Sequence, residues 1–172
     1  AVSCGEKEMY NVNDYISYGS TGVCRIAEIK RERIRGVTKE YYVLRPVFAE
    51  NSTVYVPIDN EDLVSKIRSV LTCDELNLLL SDESIEEDGW ITNDYERMEK
   101  YREIIKGGDR RQVIRIVRSI HCHQRELLGR NKRLHVSDER IKKEAESLIC
   151  SEVAFIKNIT PEKALPIVLG NV

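Results

Sequence analysis

Two hydrophobic periods divide this chain. Over residues 9–58 short apolar runs alternate with polar positions and are broken by turn residues, the pattern of half-buried strands. Residues 15–18 form a first run and precede the turn Gly19-Ser20-Thr21-Gly22. Residues 23–34 are a long run rich in Val and Ile that ends at Gly36. Residues 39–47, with Tyr41, Val43 and Leu44, form a third, and residues 53–56 a fourth, stopped by Pro57. No helical pattern intervenes, so the runs predict a small antiparallel sheet or barrel of about 55 residues and five strands, marginal when isolated.

After Pro57 the period lengthens. Thr72-Cys73-Asp74-Glu75 has capping-box form, with Leu76, Leu79 and Leu80 following at helical spacing. Residues 81–89 are acidic and poor in apolar side chains, so they read as a solvated linker. Thr92, Asn93 or Asp94 can cap a second helix running to Lys106 and closed by Gly107-Gly108. Asp109 caps a third, whose Val113, Ile116, Val117 and Ile120 share one face. A basic loop, residues 129–134, leads to a fourth helix capped by Ser137, with Ile141, Ala145, Leu148, Ile149 and Val153 as its apolar positions. Thr160-Pro161-Glu162 opens a last short helix that Gly170 ends. The fold class is therefore α+β: an N-terminal antiparallel β module over residues 9–70, then an all-α domain over residues 71–172, with residues 1–8 a tag or loose terminus.

Charge sharpens this division. The net charge of the 172-residue chain is only -2, yet residues 50–96 carry thirteen acidic side chains against two basic, and residues 97–143 carry fifteen basic against six acidic. The one Trp, Trp90, stands just before the sign changes. As a loop-to-helix residue it can wedge into a minor groove or stack on an unpaired base; as an ordinary lone Trp it belongs to a core. Arg111, Arg115, Arg118 and Arg125 share a helix face opposite the apolar one, and Arg130, Lys132 and Arg133 continue the charge into the loop. Such a stripe is either a solvated face or a salt-sensitive, sequence-tolerant phosphate contact.

The remaining candidates carry less. The odd set Cys4, Cys24, Cys73, Cys122 and Cys150 has no zinc or redox spacing and reads as reduced cytosolic thiols. His121-Cys122-His123 points three ways around a helix and cannot converge on one metal ion. Asp82, Glu83, Glu86, Glu87 and Asp88 lack calcium-loop spacing. No catalytic motif, cofactor motif, membrane span or signal peptide is present, so the expectation is a cytoplasmic, cofactor-free, metal-free, monomeric non-enzyme.

The order of motifs resembles the CarD/CdnL family of transcription regulators. Tyr15-Ile16-Ser17-Tyr18-Gly19 with the following Ile-containing strand, Ile34-Arg35-Gly36 with Lys39-Glu40-Tyr41-Tyr42-Val43-Leu44, and Val54-Tyr55-Val56-Pro57-Ile58-Asp59-Asn60 are similar to its N-terminal half. Trp90 and the later Lys106-Gly107-Gly108-Asp109 are similar to its helical half. The resemblance implies a Tudor-like (SH3-like) module that binds the RNA polymerase β subunit. It also implies a helical domain that binds promoter DNA near the upstream edge of the bubble and stabilises the open complex. Trp90 would be the wedge; Arg97, Arg130, Lys132 and Arg133, with Arg111, Arg115 and Arg118, would be the DNA contacts. Arg31, Arg33, Arg35 and Tyr55 would face the polymerase. The chain departs from the family in two places: the Trp90-to-Gly108 spacing is longer by about one helical turn, roughly 5 Å of axial rise. Glu32 and Tyr55 stand where some members place arginines. The alternatives are an adaptor that docks on an acidic protein without touching DNA, and a helix-turn-helix repressor.

Overall fold

The computed structural model describes residues 10–85 and 89–170. The expectations for residues 1–8, with Cys4, and for Glu86, Glu87 and Asp88 lie outside the described residues.

The β module is a five-stranded antiparallel sheet. Its strands are β1 (Tyr15–Tyr18), β2 (Gly22–Ile34), β3 (Val37–Pro46), β4 (Val54–Pro57) and β5 (Ile67–Ser69), in the order β4-β3-β2-β1-β5. Alternation decides the faces. Ile26 opposes Leu44, and Tyr42 opposes Val56, so one face carries the apolar core. A register shift between Ile26 and Glu28 bends β2. Beyond their sheet neighbours β2 and β3 continue as a two-stranded ribbon to the turn at Arg35-Gly36. The short helix α1 (Glu61–Val64) and the three-residue β5 close the sheet, and Tyr10, Leu63 and Val64 pad its core.

Five helices follow: α2 (Cys73–Leu80), α3 (Asp94–Gly107), α4 (Arg110–Gly129), α5 (Val136–Lys157) and α6 (Pro161–Leu169). The expected caps hold at Thr72, Asn93 and Asp109, each side chain accepting a backbone N–H of the first turn. Gly108 ends α3 in the left-handed region that a C-terminal glycine supplies without strain. The fourth helix begins differently from its sequence reading. His135, not Ser137, is the cap, its imidazole accepting the Ser137 N–H.

Helix α5 lies at the centre of the bundle. Ile141, Ala145, Leu148, Ile149 and Val153 are buried against Val113, Ile116, Val117 and Ile120 of α4. Its C-terminal half also packs on the sheet. Gly22 leaves room for Ser151, and the Val23 N–H donates to Ser151 Oγ at 3.3 Å. The Tyr15 and Phe155 rings meet at 4.8 Å between centroids. Glu152 is wholly buried at this junction; it accepts from Arg110 and from the Leu71 N–H, and Arg110 also donates to the Ser69 carbonyl. Among the described residues no helix is long and apolar enough to cross a membrane.

Candidate nucleic-acid interface

Trp90 is half-buried at the edge of the helical core, which reconciles the two sequence readings: one side is packed and the rest reaches solvent. Its ring stacks on the His123 imidazole of α4, 3.7 Å between centroids and 10° from parallel. The Arg97 guanidinium lies 4.4 Å from the same ring.

Arg97 is expected from sequence as a phosphate contact, and the structure corrects this. It is 2% exposed. The Asn93 cap starts α3 so that Arg97 falls on the second turn, turned toward α5. Its Nε and Nη2 donate to both oxygens of Asp138 at 2.8 and 2.9 Å, Nη1 to the Ile91 carbonyl at 2.7 Å, and Nη2 also to Asp94. Burial opposes its charge, but the hydrogen bonds to Asp138 and Asp94 outweigh it and its pKa is raised. The guanidinium thus fastens the start of α3 to the start of α5 and supports the indole; it has no reach to solvent.

The corner between α4 and α5 stands beside this nest, because Asp138 belongs to the first turn of α5 and His123 to the later part of α4. Arg130, Lys132 and Arg133 are all exposed there. The loop that bears them is held. Asn131 takes a left-handed conformation (φ 54°), the Lys132 N–H donates to the Leu127 carbonyl at 2.8 Å, and Leu134 is buried in the core. These three cations of the sequence reading therefore come together on one held loop, which joins the two helices that support Trp90.

The arginine stripe of α4 does something else. Arg111 pairs with Asp82 and bonds to Ser84 Oγ; Arg115 donates to the Ser84 carbonyl, and Arg118 to the Ile85 and Val168 carbonyls. Ile85 is 2% exposed, set into the helical core. Residues 82–85 are a strap fastened by the arginines, which corrects both the solvated-linker reading and the assignment of Arg111, Arg115 and Arg118 to an open basic face. A side-chain and a backbone hydrogen bond from Ser84, then Arg111, hold the Asp82 carboxyl below its ordinary pKa.

On the sheet, Tyr55 is 56% exposed and β4 is an edge strand. Register brings Lys30, Glu32, Tyr41 and Tyr55 onto one face, where they line an open depression of about 390 Å³. Glu32 and Tyr55, singled out in the sequence, meet in it. Lys30 pairs with Glu32 at 2.6 Å and stands 6.0 Å from the Tyr55 ring. Arg31 is exposed and paired with Glu40, while Arg33 and Arg35 are exposed farther out on the ribbon. The depression therefore gathers Tyr55 but none of the three arginines.

His121, His123 and Cys122 are not gathered: His121 bonds to Glu146 at 2.6 Å and His123 serves the indole. Among the described residues no group of three or more His, Cys, Asp or Glu could hold a metal ion. Sequence reasoning missed His123, Asp138, Lys30 and Tyr41. Strand alternation could have placed Lys30 beside Glu32; nothing in the sequence pairs His123 with Trp90.

Comparison with known proteins gives two family matches. Residues 10–68 match the CarD-like/TRCF RID domain, and residues 76–168 match the CarD C-terminal domain. No curated protein matches the chain.

Proposed function

The chain belongs to the CarD family of RNA polymerase-interacting transcription regulators, and from that premise we propose that it bridges the polymerase β subunit and promoter DNA and so stabilises the open complex. The observation that carries this reading is a half-buried indole fixed from two sides, on a bundle whose α4–α5 loop exposes Arg130, Lys132 and Arg133. Phosphates at the upstream edge of the bubble would meet the three cations, and counterion release would supply sequence-independent affinity. The exposed edge of Trp90 would enter the minor groove or cover the first unpaired base. Because Arg97, Asp138 and His123 already hold the ring, little ordering would be left to the moment of binding. In this reading Arg97 is a positioning residue, and Arg111, Arg115 and Arg118 hold the strap.

The sheet module would take the polymerase. The free edge of β4 offers unpaired backbone groups for strand addition, with Tyr55, Tyr41, Lys30 and Glu32 beside it to tune the fit. Arg31, Arg33 and Arg35 would meet the β subunit only if its surface extends along the ribbon.

The test is the lifetime of the open complex with the Trp90→Ala protein, with polymerase capture measured in parallel. The expected result is a shorter lifetime with capture unchanged. Undiminished lifetime with full capture removes the indole from the mechanism.

A further inference from the structure

The α4–α5 corner holds two large apolar side chains out in solvent. Leu128 is 60% exposed and Val136 is 70% exposed, one at each end of the basic loop. Neither can fold back. The left-handed Asn131, its N–H bonded to the Leu128 carbonyl at 3.0 Å, fixes the exit from α4. Burial of Leu134 and the His135 cap fix the entry to α5. Exposed aliphatic surface is stabilised when a partner covers it.

Their surroundings say what covers them. Over residues 125–140 the exposed charges are Arg125, Arg130, Lys132, Arg133 and Arg140 against Glu126 and Glu139, while Asp138 is buried on Arg97. Apolar groups set among excess cations complement a nucleic-acid duplex, in which apolar sugar edges and base steps run between rows of phosphate. The corner joins the two helices that support the indole. His123, which stacks on Trp90, precedes Leu128 by five residues, roughly 7.5 Å along the helix, and Asp138 follows Val136 within one turn.

We infer that Leu128 and Val136 form a second apolar contact on promoter DNA, acting on the shape of the duplex beside the base step that Trp90 engages. This inference rests on the DNA reading given above. In it the cations set affinity through charge, and the aliphatic pair discriminates deformed or forked DNA from straight duplex.

The experiment is an anisotropy titration of the full chain with two DNA probes, a straight promoter duplex and one forked at the upstream bubble edge, at several salt concentrations. Two double variants are compared, Leu128→Ser with Val136→Ser, and Arg130→Ala with Lys132→Ala. All four positions are exposed, and thermal melts check that both variants fold. The apolar variant is expected to lose about tenfold on the forked probe, with an unchanged salt slope. The cationic variant is expected to weaken on both probes and to lose about 1.8 from the slope. If the apolar variant binds both probes like the parent while the cationic variant weakens, the aliphatic contact is wrong and the DNA reading stands. If neither variant changes binding, the corner is not on DNA and both fall. If the apolar pair instead controls self-association of the free chain, seen by sedimentation, the surface belongs to a second copy and the inference is overturned.

Discussion

Arg97 illustrates how far a side chain's role depends on where its neighbours put it. By composition it opens the basic half of the chain; in the fold it is the least exposed of its cations with a described partner set, spent on Asp138, Asp94 and the Ile91 carbonyl. Removing one partner of such a pair is costly because the other is left charged and buried. Asp138 is only 2% exposed, so Arg97→Ala should destabilise by about 3–5 kcal/mol. Arg97→Lys should recover little, since an ammonium cannot bind both carboxylate oxygens from one plane. Trp90 is the chain's only Trp, so its fluorescence reports this site alone. Arg97→Ala should make the indole more accessible to acrylamide while the bundle is still folded. Equal quenching in parent and variant would mean that His123 suffices to hold the ring.

At the scale of elements, local rules explain the starts of helices well, and one of them gives a pH test. In α2 the Thr72 hydroxyl accepts the Glu75 N–H, and Glu75 accepts the Thr72 N–H at 2.7 Å, a closed capping box. The backbone bond from Thr72, then its hydroxyl, lowers the Glu75 pKa below its ordinary 4.5. A depressed carboxyl stabilises fully above its unfolded value, and that stabilisation is lost as pH falls through the folded value. Protection factors of the first-turn amides of α2 should therefore drop below about pH 4.5 and be nearly flat with pH in Glu75→Gln. Thr72→Ala should cost about 1 kcal/mol and weaken the dependence without abolishing it, because the backbone N–H of residue 72 still donates to Glu75.

These caps, the four longer strands and the apolar faces of α4 and α5 were legible because each depends on residues close in sequence. The rest was not, for a physical reason in each case. β5 spans three residues, too few to show a period. His135 displaced Ser137 as a cap because an imidazole nitrogen can accept where the usual statistics favour a hydroxyl. The arginine face of α4 was visible as a face, but its cover, the strap at residues 82–85, comes from a distant segment that reads as solvated. Of the candidate interface, Trp90 and the cations of the corner could be named from sequence; the Arg97–Asp138 fastening and the His123 stack are tertiary.

For the whole molecule, the consequential feature is that one helix carries both ends of the proposed bridge. Asp138, beside the α4–α5 corner, and Ser151, against the sheet, lie on α5 about 20 Å apart along its axis. If the modules are coupled through this helix, a strain placed at the sheet contact should be felt by both. Gly22 is the place to apply it. Its backbone (φ 86°, ψ -151°) is one that side chains rarely adopt, and a Cβ there would stand 2.2 Å from Ser151 Oγ and 2.8 Å from Ser151 Cβ. Gly36 provides the control, with φ 84° and nothing within 4 Å. Gly36→Ala should carry only the backbone cost, about 1–2 kcal/mol, whereas Gly22→Ala should add about 1–3 kcal/mol of overpacking against α5. Ser151→Ala should relieve only part of it, because the backbone strain and the Ser151 Cβ contact remain. The measurement is denaturant unfolding followed by Trp90 fluorescence for the bundle and by the NMR signals of Tyr18 and Tyr42 for the sheet. In the parent and in Gly36→Ala the two transitions should coincide. In Gly22→Ala the sheet transition should move to lower denaturant and separate from that of Trp90. Transitions that stay coincident but fall together would mean that the interface is stronger than the strain, and transitions already separate in the parent would mean that the spacing of the two proposed contacts is not set by α5.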